Sequence, residues 1–502
     1  MTRSRHGLIA GLLLAPLLTG CFASGDGRSA PAGSSGPGEG ARLRVAMAFP
    51  PTENFNPYGE DAYHLSKLGV SEGLTQLDAN GLAAPALARS WNSEDAGRSW
   101  LFTLQDAKFQ DGAEVRPDAV VTALTRATQA KPVPAALAGV KLSAEAVGDH
   151  QVRVRTEAPD PVLPLRLSNP RLAVFSPNAY ANQGGVDPVG TATGPFILKK
   201  ITGQTAASLD RFDGYWGGRP QASGIDATFI ADGTARANAL RTGQADIVES
   251  LPVSQIASLD KRTVHEKPTA RNVVLNLNTR SGPFADPGLR AAAREAIDPS
   301  VLAKDVYEGY ATPGQGVYGP ALSWAAGKRV EPKGRAKATD PHGASVTIAT
   351  YSNRPELPEV AQVLQQQLQK AGFTVKLEIR DLARFDSDAL AGKFDATVYS
   401  RNVLMDTGDP LSVLAGDYTC GGGNNQSQLC DQTVDRAVAE AASVTDTAQR
   451  QDAVMAAEAA VLATDAMVPL VHMKVAMGIG ASVEGALTNP YERLLVGTGT
   501  RR

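Results

Sequence analysis

The sequence predicts an α/β protein built on a mixed or parallel sheet, and three observations predict it. Strand-like and helix-like segments alternate through residues 345–399. Short alternating segments bounded by turn residues recur in the first half. The chain has 502 residues, 43% of them hydrophobic, enough for two or three lobes with their own cores.

Taken in order, LRVAMA at 43–48, WLFTLQ at 100–105 and QVRVR at 151–155 alternate apolar and polar residues, as half-buried strands do. DANG at 78–81 is a hairpin turn, where Asn-Gly supplies positive φ at little cost. Residues 117–127 read as a helix with Pro117 in its first turn. Further on, SVTIAT at 345–350 is a strand. Residues 359–371 form a helix with Val360, Val363, Leu364 and Leu368 on one face and Gly372 as its stop. FTVKLEI at 373–379 alternates strictly, and KFDATVY at 393–399 follows one more helical turn. Strand–helix–strand–helix–strand implies right-handed crossovers. The Ala/Val-rich helices at 432–442 and 447–463 can cover such a sheet.

The N-terminal forty residues carry a separate message. Arg3 and Arg5 precede an apolar run at 8–18, then LTGC at 18–21, then a Gly, Ser, Ala and Pro tail to Gly40. A basic start, an apolar stretch and small residues at a cut site make a secretory signal. The run is shorter than the roughly 20 residues that span a bilayer. LTGC resembles a bacterial lipobox, which implies cleavage before Cys21 and acylation of its thiol. Residues 1–20 are then a signal peptide and 21–40 a flexible tether. The body is held by lipid at the outer face of the cytoplasmic membrane. Loss of residues 1–20 lowers the 49 Lys and Arg to 47 against 52 acids, so the net charge moves from −3 to −5. Nothing in that balance suggests nucleic acid or a basic membrane-binding surface.

Cys420 and Cys430 flank a Gly/Asn/Gln loop, YTCGGGNNQSQLC at 418–430. In an exported protein the pair reads as a disulfide, with a metal pair as the rival. The hydrolase elbow G-x-S-x-G, the zinc motif H-E-x-x-H and the Walker phosphate loop are absent. The six histidines are scattered without metal-ligand spacing. A tethered α/β body of this kind suggests binding rather than catalysis, with no cofactor.

Several segments, spread over nearly the whole body, then point one way. They are GLTQLDANG at 73–81, PALARSW at 85–91, SWLFTLQDAKFQDG at 99–112, GPFI at 194–197 and DGYWGGRP at 213–220. ALRTGQADI at 239–247, NLN at 276–278 with PF at 283–284, and RAAAREAID at 290–298 complete the series. In order and spacing they resemble the large solute-binding proteins of bacterial ABC importers, the family 5 group taking di- and oligopeptides, nickel and metal chelates. The motifs themselves read as structural: Trp91, Trp100, Phe102 and Phe109 as core, and the aromatics of GYWGG as lobe packing.

The resemblance implies two main lobes joined by a hinge, of the type II periplasmic-binding-protein kind, with a small inserted lobe. Main lobe I comprises 41–70, 190–271 and 475–502; the small lobe is 71–189; main lobe II is 272–474. The ligand lies between the main lobes, and the closed, loaded monomer docks on permease subunits served by ATPases. The family pattern Asp-x-Gly-Asp-Pro appears as Asp406-Thr-Gly-Asp409-Pro410, and its first Asp faces the ligand's ammonium in peptide binders. Asp409 reads as structural. Val403 and Leu404 stand where an aromatic commonly precedes the pattern. Arg354 and Arg401 are candidates for a peptide carboxylate, since both follow strands whose C-terminal ends favour ligands. A metal chelate is the alternative ligand, with Thr52 to Asn56 and His64 available to it; a tethered receptor is the second alternative.

Overall fold

A computed structural model describes residues 40–502 apart from 138, 182–184, 353 and 406. The signal and tether, Cys21 and Asp406 therefore lie outside the described residues. Among the described residues no helix is long and apolar enough to cross a membrane.

One eleven-stranded sheet runs through the body. Its path is Thr374–Arg380, Ser345–Tyr351, Ala396–Asn402, Val264–Leu277, Met467–Ile479, Ile247–Val248, Arg42–Met47, Gly224–Phe229, Ala206–Arg211 and Phe196–Thr202, with Ala311–Pro313 added on Met467–Ile479. Ser345–Tyr351 is parallel to both Thr374–Arg380 and Ala396–Asn402, as the crossover reading requires. Arg42–Met47 is parallel to Gly224–Phe229 and Ile247–Val248.

Two long strands, Val264–Leu277 and Met467–Ile479, carry the sheet from one half to the other. Their ladder slips between Pro268 and Asn272. Proline has no N–H to donate, so a central ladder breaks there. This places an irregular crossing between two separately packed halves. On one side Leu43, Phe196, Leu209 and Ile225 share a core with Phe55 and Leu65. On the other, Val273, Ile348, Leu364, Phe385 and Val398 share another. Helices Leu411–Tyr418, Gln432–Ser443 and Thr447–Ala463 cover the second half's opposite face through Leu414, Val434, Met455 and Leu462.

A third core belongs to a four-stranded antiparallel sheet, Ala88–Glu94, Ser99–Leu104, Gln151–Thr156 and Leu142–Val147, packed by helix Pro117–Gln129. Phe102 and Phe109 are buried in it, with Trp91 and Trp100 against it. The hairpin of Thr75–Leu77 and Ala83–Pro85 turns where expected, with the Asp78 carboxylate accepting the N–H groups of Asn80 and Leu82. Only Gly81 of that turn has positive φ, at 78°. The GYWGG aromatics are structural too: Tyr215 and Trp216 donate to the Glu72 carboxylate at 2.6 and 3.0 Å.

Two elements begin three residues away from the sequence reading. The strand expected at 393–399 runs Ala396–Asn402. Its first residues are spent on a turn, where Lys393 pairs with Asp388 and the Asp395 carboxylate accepts Thr347 N–H. The helix expected from 359 begins at Glu356. The glycines of GQGVYG at 314–319 have dinucleotide-loop spacing, but no helix opens at them. They admit close neighbours instead: the Leu470 backbone at Gly314, Glu458 at Gly316 and the His472 ring at Gly319.

Candidate functional site

A cavity of about 320 Å³ opens where the two main halves meet. It lies beyond the C-terminal ends of three strands. Phe49 follows Arg42–Met47, Glu249 and Ser250 follow Ile247–Val248, and Arg354 follows Ser345–Tyr351. Strand C-termini gather at this edge because the parallel pairs in each half point the same way. The crossing strands add Arg271 and Met473 through Met477, and the C-terminal segment adds Glu492 and Leu495.

Charge in the cavity is organised in pairs. Lys67 Nζ meets Glu249 Oε1 at 2.5 Å with both side chains buried, and Ala48 N–H donates to Glu249 Oε2 at 2.9 Å. Burial would raise the Glu249 carboxyl, but Lys67 and the Ala48 N–H hold it below the usual carboxylate range. Arg271 grips Glu492 with two nitrogens at 3.1 and 3.2 Å. Burial again acts upward on Glu492, yet Arg271, with Arg354 and Lys67 nearby, brings it to about 2. Arg354 is held more loosely, 3.9 Å from Glu356.

The wall is stiff. Arg236 donates to the carbonyls of Ile230, Ala231 and Ser250 at 2.7–2.8 Å. Ser250, Glu308 and Glu492 all adopt positive φ, at 50°, 48° and 60°. Such backbone is costly for residues with a Cβ and persists where surroundings impose it, often around ligand sites.

A second junction closes the body beside this cavity. Tyr63 Oη and Asn169 Nδ2 donate to the Met405 carbonyl at 2.9 and 3.0 Å. Arg493 donates to the carbonyls of Ser168 and Leu404, both at 2.9 Å. Side chains of the first half, of the segment leading out of the small four-stranded unit and of the C-terminal segment thus hold the backbone that leads into the DTGDP motif. Val403 and Leu404 are buried core residues.

The two candidate arginines part company. Arg354 lines the cavity and Arg401 does not. Arg401 is paired in register with Asn272, while Arg271 faces Asn402, so Arg401 and Arg271 lie on opposite sheet faces. Arg401 meets Asp417 at 3.3 Å. Asp409 ties structure together: Arg450 Nη2 reaches it at 2.6 Å while Arg450 Nη1 donates to the carbonyls of Ala441, Ala442 and Val444. Cys420 and Cys430 are joined in a disulfide. His64 is buried edge-on against Phe55 and Phe229, and does not line the cavity. The Thr52 to Phe55 loop is folded onto Asp61, whose carboxylate accepts the N–H groups of Thr52, Glu53 and Phe55. Among the described residues no three His, Cys, Asp or Glu side chains converge as a metal site.

Sequence reasoning did not find Lys67, Glu249, Arg271 or Glu492. The one local signal was a charged residue closing or interrupting an apolar strand, as Glu249 does after Ile247–Val248 and Arg271 before Val273.

The body is α/β, with two separately cored halves joined by crossing strands and a charged cavity between them. Residues 83–425 match the family of bacterial extracellular solute-binding proteins, family 5 Middle, and the chain belongs to that family. That family is one of extracellular solute-binding proteins. Among its relatives are the glutathione-binding protein GsiB of Salmonella typhi, 31% identical over 327 residues, and that of Escherichia coli O157:H7, 30% identical over 331. Each match covers 62% of this chain and 64% of the relative, so the chain matches less than two thirds of their length. The fold is that of the nickel ABC transporter structure from Bacillus halodurans (TM-score 0.75, 23% identity, 92% of this chain and 100% of that one). It is equally that of DppA from Helicobacter pylori in complex with peptide STSA (TM-score 0.75, 20% identity, 92% and 98%).

Proposed function

We propose that this chain is the lipid-anchored solute receptor of an ABC importer, and that its solute is a short peptide. On this reading Cys21 carries the lipid, residues 21–40 form the tether, and the lobes are 41–70 with 190–271 and 475–502, 71–189, and 272–474. The observation that carries the reading is the cavity itself, which lies between separately cored halves and at about 320 Å³ has the size of a small-molecule site. Arg354 is the group that meets the ligand carboxylate. It lines the cavity with only a distant carboxylate partner, so it can turn to a ligand without abandoning a tight pair. Asp406, by its place in the DTGDP motif, meets the ligand ammonium. A charge enclosed on closure needs such a partner.

Closure about the crossing strands then buries the ligand, and opening on the permease releases it. Binding free peptides and their N-acetylated forms in a calorimeter tests this, since acetylation removes the ammonium. Free peptides are expected to bind more than about a hundredfold tighter; equal affinities would overturn the role of Asp406. The arginines of the cavity also favour a second reading, an anionic metal chelate, and it moves forward if no peptide binds.

A further inference from the structure

Phe49 is the one exposed aromatic side chain among the described residues, 45% accessible, and it stands in the wall of the cavity between the halves. Every other described Phe is buried or half-buried. The strand end that carries Phe49 is held on both sides. Ala48 N–H is held by the Glu249 carboxylate, and Ile230 N–H by the Met47 carbonyl. An exposed ring carried by a held strand end, on the wall of a cavity, offers apolar surface to whatever enters.

It has company. Met473, Val475 and Met477 are alternate residues of one crossing strand, so they share a face, and all three contribute to the same cavity. Val306 and Tyr310 approach from the other half. The charged groups, Lys67 with Glu249 and Arg271 with Glu492, are already satisfied by one another. They therefore add little attraction for a further ion, whereas the Phe49 ring is exposed and Met473, Val475, Val306 and Tyr310 are only half-buried, with apolar surface left facing the cavity. Thioethers adapt to ligands of different shape, so this wall favours bulk without fixing one outline.

Resting on the peptide reading, we infer that this cavity selects peptides bearing a bulky apolar side chain, aromatic or branched aliphatic, seated between Phe49 and the Met473–Val475–Met477 face. The neighbouring ion pairs stay closed, and Arg354 takes the peptide's charged end.

The test is a calorimetric series on the full mature chain with Ala-Phe, Ala-Leu, Ala-Ala and Ala-Asp. Enclosing a large apolar side chain favours Ala-Phe and Ala-Leu over Ala-Ala by about tenfold or more. Phe49→Ala, a change at an exposed position, narrows the Phe-to-Ala ratio to within about threefold. Val475→Asp, checked for folding by circular dichroism, narrows it as well. Equal affinities across the series on the native protein overturn this selectivity and leave the peptide reading standing. Equal weakening of every peptide by Phe49→Ala also overturns it. No binding by any of the four overturns both readings.

Discussion

Glu492→Gln isolates the ion pair that joins a crossing strand to the C-terminal segment at the cavity. Arg271 and Glu492 have side chains only 11% and 25% exposed and share two hydrogen bonds, at 3.1 and 3.2 Å. Arg271 overcomes the upward effect of burial and lowers the Glu492 carboxyl from 4.5 to about 2. A carboxyl lowered in the folded state stabilises fully above its unfolded value, and the stabilisation fades as pH falls toward the folded one. The full difference corresponds to about 3 kcal/mol at pH 7; a quarter-exposed carboxylate in water reduces that to about 2 kcal/mol. Gln keeps the shape and one acceptor but does not titrate. Urea unfolding of both proteins between pH 7 and pH 3 is therefore expected to show wild type ahead by about 2 kcal/mol down to pH 5. The gap then narrows to about 1 kcal/mol or less at pH 3. A gap that stays constant over the whole range would show that the pair carries no linked stability, and the assignment would fail.

Three further outcomes follow from the same geometry. Asp409→Asn is expected to lower stability by about 2–3 kcal/mol, because it leaves the half-enclosed Arg450 without its carboxylate, while peptide affinity stays within about threefold. An unchanged melting temperature with lost affinity would move Asp409 to the ligand. Replacing Cys420 and Cys430 together by Ser opens a loop of sequence separation 10. Chain entropy puts the loss at about 3 kcal/mol in chemical unfolding, and no loss would mean that the loop's other contacts suffice. Tyr63→Phe removes the hydroxyl that bridges to the Met405 carbonyl. Peptide affinity is expected to fall about two- to tenfold, with a larger radius of gyration by small-angle scattering; identical values in both would show that this bond does not favour closure.

Much of the body was legible because its signals are local. Alternation exposed Arg42–Met47, Ser99–Leu104, Gln151–Thr156, Ser345–Tyr351 and Thr374–Arg380. Helical spacing of Val360, Leu364 and Leu368 exposed Glu356–Lys370. The two crossing strands were not legible. Near its start Val264–Leu277 carries His265, Glu266, Lys267 and Pro268, which show no apolar alternation, and it is a strand because Met467–Ile479 pairs with it. The cavity was hidden for a similar reason. Lys67 and Glu249 are 182 residues apart, and Arg271 and Glu492 are 221 apart, so no local pattern joins them. Arg354 and Arg401 looked equivalent in sequence as residues following strands. The structure separates them because Arg401 falls inside Ala396–Asn402, on the sheet face opposite Arg271, whereas Arg354 stands beyond the end of Ser345–Tyr351.

The central claim is that the chain captures a short peptide between its halves and leaves it unaltered. Native mass spectrometry of the protein purified from its own host, followed by denaturation and sequencing of what is released, measures this directly. The account predicts mass increments of a few amino-acid residues, peptides recovered intact, and no change in them on prolonged incubation with the protein. Recovery of a metal chelate, or of cleaved products that accumulate with time, would contradict it.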